Sequence, residues 1–392
     1  MQVATILSKH LSKVMHKTRL NTLCLMVESL FHAKFFSLSG LGRALKTEAQ
    51  ERSSIRRVDR FLGNKKIQAD RRHIYMTICN LIVGEIKRPL IIVDWSTIPN
   101  KKDNLLRAAI ITSGRALTLY EEVHPEKKAS NHKVHLRFLK KLKLMLKADC
   151  IPILITDAGF HSNWFEAGLA MGLDYVGRIR GNKYYRINGG ATWLPILSLH
   201  KEATSTPKFL GEIELCKDSG FITNLYRYKS KKMGRKDKTK RGKVKENAQS
   251  RKQARANKEP WIVVSSLQEN SKVAKKVIKI YSYRMQIEEG FRDLKSTKYG
   301  FGFEHVNTNH IYRLNVFFLI AMLASFLAWI IGWLAEKENL QAQYQANSTK
   351  WKRILSLFYL GYRIILRRSN KIKNDLIQSV TINFPDFCGE IK

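Results

Sequence analysis

The chain has 392 residues, of which 44% are hydrophobic, so it can bury the cores of two or three domains and is not a globally disordered polypeptide. Its 70 lysines and arginines against 32 acidic residues give a formal net charge of +38, which favours an anionic partner, either nucleic acid or an anionic membrane surface. The five cysteines are too widely spaced for a zinc site of the usual pattern, and they indicate a reducing compartment.

Residues 1 to about 85 have the pattern of a basic, helical region. A short apolar-periodic piece lies within His32–Leu45, with Ser37 or Ser39 as its N-cap. The run SSIRRVDRFL at Ser53–Leu62 predicts a second helix, which carries three arginines. A helix, a turn and a basic helix are compatible with a DNA-binding module, and equally with an ordinary helical bundle.

Residues 86–180 change to strand patterns. The apolar, β-branched run Pro89–Val93 predicts a buried strand, and two further runs joined by a Ser-Gly turn predict a hairpin. The hairpin strands, the next helix and two more strands are predicted at Leu105–Thr112, Ala116–Val123, His132–Lys147, Ile151–Thr156 and Tyr175–Arg180. Three antiparallel strands followed by a helix and more α/β structure is the order of an RNase H-like fold.

Residues 181–260 interrupt this pattern. Strand candidates at Leu210–Leu215 and Ile222–Tyr228 lead into Lys229–Lys258, where 14 of 30 residues are basic and two are acidic. No apolar periodicity survives there, so we expect a solvated arm or hairpin tip, with a plain solubilising loop as the alternative.

The pattern then resumes. Trp261–Leu267 predicts a strand, and Lys272–Ser296 predicts one long helix without proline. Val316–Leu334 has no charged residue over 19 positions, a length that can span a membrane but also suits the central helix of a large core. Trp351–Lys371 predicts a last basic helical segment.

Two aspartates follow directly on predicted buried strands. Asp94 ends the run PLIIV and Asp157 ends the run IPILIT. One such aspartate is more often the cap of a turn, but two of them on core strands favour a shared site. Asp103 and Asp174 are alternatives in more polar contexts. Paired carboxylates at strand ends are suited to binding Mg²⁺ for phosphodiester chemistry.

A third acid is expected on the long helix. At about 100° per residue, Tyr281, Arg284, Glu288 and Lys295 fall within roughly 60° of one another. Such a face is either a solvated ion-pair stripe or part of a site. Glu289 and Asp293 point about 80° to 120° away from Tyr281, so they can be surface acids.

The spacing Tyr281-x₂-Arg284-x₃-Glu288-x₆-Lys295 is a complete YREK motif. It resembles that of the DDE-class insertion-sequence transposases that form DNA hairpins on the excised element, and the resemblance covers about residues 20–375. Further runs resemble the same group, namely VDWS at 93–96, TDAGF at 156–160, RIRGN at 178–182 and YGFGFEH at 299–305.

The resemblance implies an α/β, RNase H-like catalytic core with a β-strand insertion domain. The core would comprise residues 86–180 and 261–335, the insertion 181–260, and an N-terminal helical DNA-binding region and C-terminal helices would occupy 1–85 and 336–392. Asp94, Asp157 and Glu288 would be the catalytic residues and the ligands of two Mg²⁺ ions per active site, with Mn²⁺ able to substitute.

The resemblance also implies DNA-binding residues. Tyr281, Arg284 and Lys295 would hold phosphates near the cleaved end, and Arg178 and Arg180 of the RIRGN run would also bind DNA. Trp261 matches the position of a tryptophan that stacks on a flipped base during hairpin formation, with an ordinary core tryptophan as the alternative.

The expected activity is cut-and-paste transposition in the bacterial cytoplasm. The partners would be the terminal inverted repeats of the element, the target DNA and at least one further copy of the chain, with no membrane. Three alternatives remain open from the sequence alone: a nucleic-acid-binding protein whose acids are structural, a plain RNase H-like nuclease or resolvase, and a membrane protein anchored through residues 316–334.

Overall fold

The computed structural model describes residues 2–217, 220–230, 243–244, 248, 259–267, 272–346, 348 and 352–367. The chain folds as two compact units. Unit 1 contains Met1–Cys150 and Met285–Lys392, and unit 2 contains Ile151–Arg284. The basic arm predicted at Lys229–Lys258 lies largely outside the described residues.

Unit 1 begins with a group of helices. These are α1 (Gln2–Leu11), α2 (Lys17–His32), α3 (Leu38–Arg43), α4 (Glu51–Leu62) and α5 (Lys65–Val83). Ser37 caps α3 by accepting a hydrogen bond from the amide of Gly40, as one of the two predicted caps. A Cβ added at Gly42 would lie 2.7 Å from the Cα of Ile55, so glycine is needed where α3 meets α4.

Three neighbouring antiparallel strands follow in unit 1. They are β1 (Leu90–Thr97), β2 (Asp103–Ile111) and β3 (Ala116–Pro125), in the order β3-β2-β1. The predicted hairpin and the buried strand before it are both present. The helix after them, α6 (His132–Lys143), ends before the predicted Lys147, because i→i−3 hydrogen bonds such as Met145 N to Leu142 O tighten its last turn.

In its described residues, unit 2 combines a mixed sheet with helices. In chain order its elements are β4 (Ile153–Thr156), α7 (Ser162–Ala170), β5 (Asp174–Ile179), β6 (Tyr184–Ile187), β7 (Leu194–Pro195), β8 (Lys208–Leu215), β9 (Phe221–Tyr228), β10 (Trp261–Ser265) and α8 (Val273–Ser282). The strand order is β4-β5-β10-β9-β8-β6-β7. Only β4 and β5 run parallel within this set; the other neighbouring pairs are antiparallel.

The predicted single helix over Lys272–Ser296 is wrong. The helix α8 ends at Ser282, and a separate helix, α9, spans Met285–Lys295 in unit 1. Between them the amide of Tyr283 donates to Ile280 O and the amide of Arg284 donates to Tyr281 O. These tighter i→i−3 bonds end the helix at a place that has neither proline nor glycine. Tyr281 and Arg284 therefore do not lie on one continuous helix with Glu288 and Lys295, and the four YREK residues do not share a single helix face.

Unit 1 is completed by an apolar helix and a short helix that packs on it. The first, α10, spans Ile311–Lys337, and the second, α11, spans Leu357–Leu366. Among the described residues α10 alone is long and apolar enough to cross a membrane, but 89% of its most apolar window is buried. Such burial is typical of a core helix. Among the described residues of the predicted basic helical segment Trp351–Lys371, helix is limited to α11, and part of the segment lies outside the described residues.

Two glycines let α10 and α11 touch backbone to backbone. A Cβ at Gly332 would lie 1.9 Å from Leu357 O, and one at Gly361 would lie 1.8 Å from Ala328 O. Neither position can therefore accept a side chain without separating the two helices.

Candidate active site

Asp157 is held by hydrogen bonds at the end of β4 in unit 2. Its Oδ1 accepts from the amide of Ala158 (2.8 Å) and from the phenol of Tyr281 (3.2 Å). The Nη1 of Arg284 lies 3.5 Å from its Oδ2. Two of the YREK residues thus contact the second predicted aspartate through its two carboxylate oxygens.

The charges around Asp157 keep it ionised. Burial would raise its pKa, but the guanidinium of Arg284, the Ala158 amide, Arg178 and the Tyr281 hydroxyl together hold that pKa below its usual value. Burial, with Asp157 beside it, raises the pKa of the Tyr281 phenol, so Tyr281 stays protonated and donates. The carboxylate is therefore available in its anionic form at neutral pH.

Trp261 begins β10 and packs against two tyrosines. Its ring meets Tyr281 edge to face at 4.9 Å between centroids and lies 5.4 Å from the ring of Tyr228. Trp261 is half-buried, whereas Tyr281 is almost fully buried. The indole is thus anchored on one of its sides and partly open to solvent.

Arg178 and Arg180 share one counter-ion. Nη2 of Arg178 lies 3.3 Å from the carboxylate of Glu259 and 3.3 Å from Pro260 O, and Arg180 approaches the same carboxylate to 2.5 Å. Arg178 is buried, and its Nε has no hydrogen-bond partner among the described residues. Burial of a guanidinium nitrogen without a partner is energetically costly.

In unit 1, helix α9 covers the sheet face that carries Asp94. Asp94 and Ser96 lie two residues apart on β1 and so share a face, and Arg107 lies opposite Asp94 in register. Nζ of Lys295 donates to Ser96 Oγ (2.8 Å) and Thr97 O (2.7 Å). The guanidinium of Arg107 stacks on Phe291 at 4.7 Å. Both contacts join α9 to this face.

Glu288 and Lys295 share one side of α9. They are seven residues apart, which places them within about 20° of each other on a helix. Since Lys295 reaches the β1 face of Asp94, Glu288 lies on the side of α9 that turns toward that face. Asp94 itself bonds the neighbouring amide of Trp95 through Oδ1 at 2.8 Å.

The expectation that Glu289 and Asp293 are surface acids is corrected. Both form ion pairs with Arg115 of the β2–β3 turn, Asp293 across 2.7 Å, and the Asp293 side chain is only 15% exposed. Their partner lies far away in sequence, so helix periodicity could not reveal it.

A buried ion pair beside the site was missed by the sequence reasoning. Arg107 and Glu121 lie opposite each other on β2 and β3 and pair at 2.7 Å, and both are buried. Tyr75 also donates to Glu121 across 3.1 Å. Burial lowers the pKa of Lys295, and the nearby charge of Arg107 lowers it further. The signal available in the sequence was a single charge, Arg107, inside the apolar run Leu105–Ile111, and two adjacent acids, Glu121 and Glu122, inside the next strand.

The donor chemistry of the three predicted acids suits a hard divalent ion. Carboxylate oxygens are preferred by Mg²⁺, which commonly keeps several waters and uses one or two carboxylates together with substrate phosphates. In the part of the chain that the structure describes, no three histidine, cysteine, aspartate or glutamate side chains form a group able to hold a metal ion. An ion here would therefore take further oxygens from water and phosphate.

The comparison with protein families identifies this region. The model described as transposase DDE domain matches residues 85–327, more than half of the chain, and the matched part includes Asp94, Asp157 and Glu288. No curated protein matches the chain.

Proposed function

Because the chain belongs to the DDE transposase family, we propose that it is an insertion-sequence transposase of the YREK group, which excises its element by cut and paste through DNA hairpins. Its substrates are the terminal inverted repeats of the element and the target DNA. Membership of the family implies DNA as the substrate and divalent metal chemistry. The subgroup rests on the complete YREK spacing.

We propose Asp94, Asp157 and Glu288 as the acidic ligands of two Mg²⁺ ions, which Mn²⁺ can replace. Such ions, when bound, activate the attacking oxygen and stabilise the departing one. The observation that carries this proposal is the pair of contacts that Tyr281 and Arg284 make with Asp157, since a motif recognised in the sequence meets the aspartate assigned to the same chemistry. The face of α9 that Glu288 shares with Lys295 supports the assignment of the third acid.

The DNA steps are phosphoryl transfers in which each new P–O bond replaces an old one. Water hydrolyses one strand at each element end and leaves a 3′-hydroxyl. That hydroxyl attacks the opposite strand and closes a hairpin, water reopens the hairpin, and the 3′-hydroxyl then attacks target DNA. Arg284 and Lys295 neutralise phosphates near the cleaved end, and Tyr281 keeps the carboxylate of Asp157 oriented.

Trp261, Arg178 and Arg180 interact with the DNA in this proposal. Trp261 is partly open and stacks on the base that leaves the helix during hairpin closure. Arg180, which is exposed, leaves Glu259 to bind a DNA phosphate, and the buried Arg178 adds positive charge beside it.

The N-terminal helices, residues 1–85, bind the element end. On α4 the exposed residues Arg52, Arg56 and Arg60 recur every fourth position and so form one stripe, while Val58, Phe61 and Leu62 bury the opposite side. The remaining domain division follows the family: core at 86–180 and 261–335, insertion at 181–260, C-terminal helices at 336–392.

Two element ends must be joined, so the working form is at least a dimer on DNA in the cytoplasm.

The central test is the variant Asp94→Asn. It should abolish Mg²⁺-dependent nicking of a duplex that carries the inverted repeat flanking the coding sequence, because a neutral amide removes an anionic ligand, while affinity for that duplex in the absence of metal stays unchanged. The matched control is Asp103→Asn, at the start of β2, which should nick normally. Unimpaired nicking by Asp94→Asn would overturn the site.

The unaltered chain separates the alternatives. Metal-independent binding with no nicking of any duplex would favour a nucleic-acid-binding protein with structural acids. Nicking without joining of the freed 3′-hydroxyl to target DNA would favour a plain nuclease.

A further inference from the structure

The helix α9 presents three different faces. With Gln286 taken as the origin and 100° per residue, Glu289 and Asp293 fall within about 60° of it. The buried residues Ile287, Phe291 and Leu294 form an apolar face about 80° to 140° around the helix. Glu288 lies about 160° from Gln286, on the far side. The helix therefore carries a polar face that does not include the proposed ligand.

Every residue of that polar face contacts the β2–β3 turn. Arg115 donates from Nε to Asp293 Oδ2 (2.7 Å) and from Nη1 to Glu289. The side-chain amide of Gln286 forms hydrogen bonds with both backbone groups of Thr112. It donates to Thr112 O (3.0 Å) and accepts from Thr112 N (3.3 Å). We call the contacts of Arg115 and Thr112 with these three residues the turn clamp.

The turn itself is braced. The amide of Thr112 donates to Arg115 O at 3.2 Å, and the hydroxyl of Thr112 donates to the same oxygen. Arg115 also donates to Gly114 O at 3.0 Å. The strands β2 and β3 are paired along their lengths in the sheet that carries Asp94. The turn clamp therefore holds α9 at a fixed position relative to that same sheet.

Apolar packing alone would leave the rotation of α9 about its own axis poorly defined, so that rotation depends on directional bonds: those of Lys295 with Ser96 and Thr97 near the C-terminal end of the helix, and the turn clamp. Hydrophobic contact is non-directional, whereas an arginine shared by two carboxylates and an amide bonded to both the N–H and the C=O of one residue fix direction. A side chain on a helix reaches about 5–6 Å from the axis, so a rotation of only about 20° would displace the Glu288 carboxylate by about 2 Å. Productive geometry tolerates about 0.5 Å.

We propose that Arg115 is a positioning residue that, through Glu289 and Asp293, fixes the rotation of α9 and thereby the placement of the Glu288 carboxylate for metal binding. This inference rests on the proposed function of Glu288. Arg115 acts from the side of the helix opposite Glu288, without touching the reacting groups. Gln286 assists as the second member of the turn clamp.

The test measures metal binding directly. Mn²⁺ is titrated into the full chain bound to the inverted-repeat duplex, and free Mn²⁺ is followed by electron paramagnetic resonance. Arg115→Ala should raise the Mn²⁺ dissociation constant about tenfold, with Arg115→Lys between it and the unaltered chain because lysine retains charge but loses the fork. The Mg²⁺ concentration that gives half-maximal nicking should rise by a similar factor, which a lower folded fraction alone would not cause.

The matched control is Arg353→Ala. Arg353 is a half-buried arginine of unit 1 that pairs with Glu336 at 2.5 Å and makes none of the turn-clamp contacts. Its loss should leave the Mn²⁺ dissociation constant unchanged. Glu289→Gln replaces Arg115→Ala as the test variant if Arg115→Ala does not fold, because it removes only one partner of Arg115, at a side chain that is 34% exposed. Glu289→Gln should raise the Mn²⁺ dissociation constant about threefold.

The outcomes separate the two levels of inference. If Glu288→Gln keeps Mn²⁺ affinity and nicking, the proposed function of Glu288 fails. If Glu288→Gln abolishes nicking but Arg115→Ala and Glu289→Gln both bind Mn²⁺ as the unaltered chain does, the positioning role alone is overturned. An equal change in Arg353→Ala would also overturn it, since the effect would then not be specific to the turn clamp.

Discussion

The phenol of Tyr281 donates a hydrogen bond to Oδ1 of Asp157 across 3.2 Å. The bond joins a residue near the end of α8 to one that directly follows β4, and both belong to unit 2. Since the phenol remains protonated when buried, it can only reinforce the anionic carboxylate. A motif residue that was expected to contact DNA is thus also engaged with the protein.

Tyr281→Phe should slow nicking about fivefold, because a typical intramolecular hydrogen bond contributes about 1 kcal/mol. The measurement is the single-turnover nicking rate at saturating Mg²⁺ and at neutral pH. Tyr283→Phe, two residues along, is the matched control and should nick at the normal rate. Equal rates for Tyr281→Phe and the unaltered chain would mean that the bond does not matter for the reaction.

Trp261→Ala should leave the first nick intact and slow hairpin closure by roughly 5- to 150-fold, the equivalent of the 1–3 kcal/mol of one base–aromatic stack. Trp261→Phe should recover part of that rate, since the aromatic face is retained. The two products are resolved on denaturing gels over time. Trp193→Ala, which removes a tryptophan that lies under Arg186, controls for loss of an indole in unit 2. An equal loss at both steps would indicate a packing role.

Replacement of Arg52, Arg56 or Arg60 by alanine should weaken binding to the inverted-repeat duplex. It should also reduce the slope of log affinity against log salt by about 1 for each phosphate that is no longer neutralised. Fluorescence anisotropy across a range of salt concentrations measures both quantities. Arg137→Ala, an exposed arginine of α6, is the control. A salt slope that changes as much in Arg137→Ala as in the α4 variants would show that the stripe has no special role.

Glu122 should stabilise unit 1 in a pH-dependent way. Burial would raise its pKa, but hydrogen bonds with His124, Lys141 and Tyr120 hold it down to about 2. Because this folded value lies below the unfolded value of about 4.3, the stabilisation is fully present above about pH 4.3 and is lost as the pH falls toward about 2. It amounts to at most about 3 kcal/mol.

Urea unfolding at several pH values checks this prediction. Glu122→Gln should lower the free energy of unfolding at pH 7 and differ much less from the unaltered chain at pH 3. Glu126→Gln, an exposed neighbour after β3, should show no such pH dependence. A Glu122→Gln deficit that stays constant from pH 7 to pH 3 would mean that packing, not charge, is lost.

The strands could be predicted because burial imposes a simple composition. Pro89–Val93 and Ile151–Thr156 are apolar and rich in β-branched residues, and β1 and β4 lie there. Asp157 directly follows β4, as its run predicted, whereas β1 continues past Asp94 to Thr97, so Asp94 lies within its strand and not at the strand's end. The helix break at Tyr283 could not be predicted, because neither proline nor glycine marks it and only the local i→i−3 bonds reveal it.

The polar contacts were beyond the reach of periodicity. Glu289 and Asp293 looked like solvated acids because nothing in their own helix requires a partner, and Arg115 is supplied by a turn far away along the chain. Glu259 likewise pairs with Arg178 and Arg180 across a large separation in sequence. Helix and strand patterns indicate which side of an element is buried, but they do not identify the charged residue of another element that packs against that side.

The contact of Gly332 with Leu357 and of Gly361 with Ala328 has a consequence during protein synthesis. The ribosome synthesises α10 before α11, so a helix apolar enough to enter a bilayer is briefly without one of the elements that pack on it. A chain interrupted between the two helices would keep that surface exposed, and chaperones, membranes or other copies would compete for it. Packing of α11 against Gly332 removes part of that surface from such competing contacts.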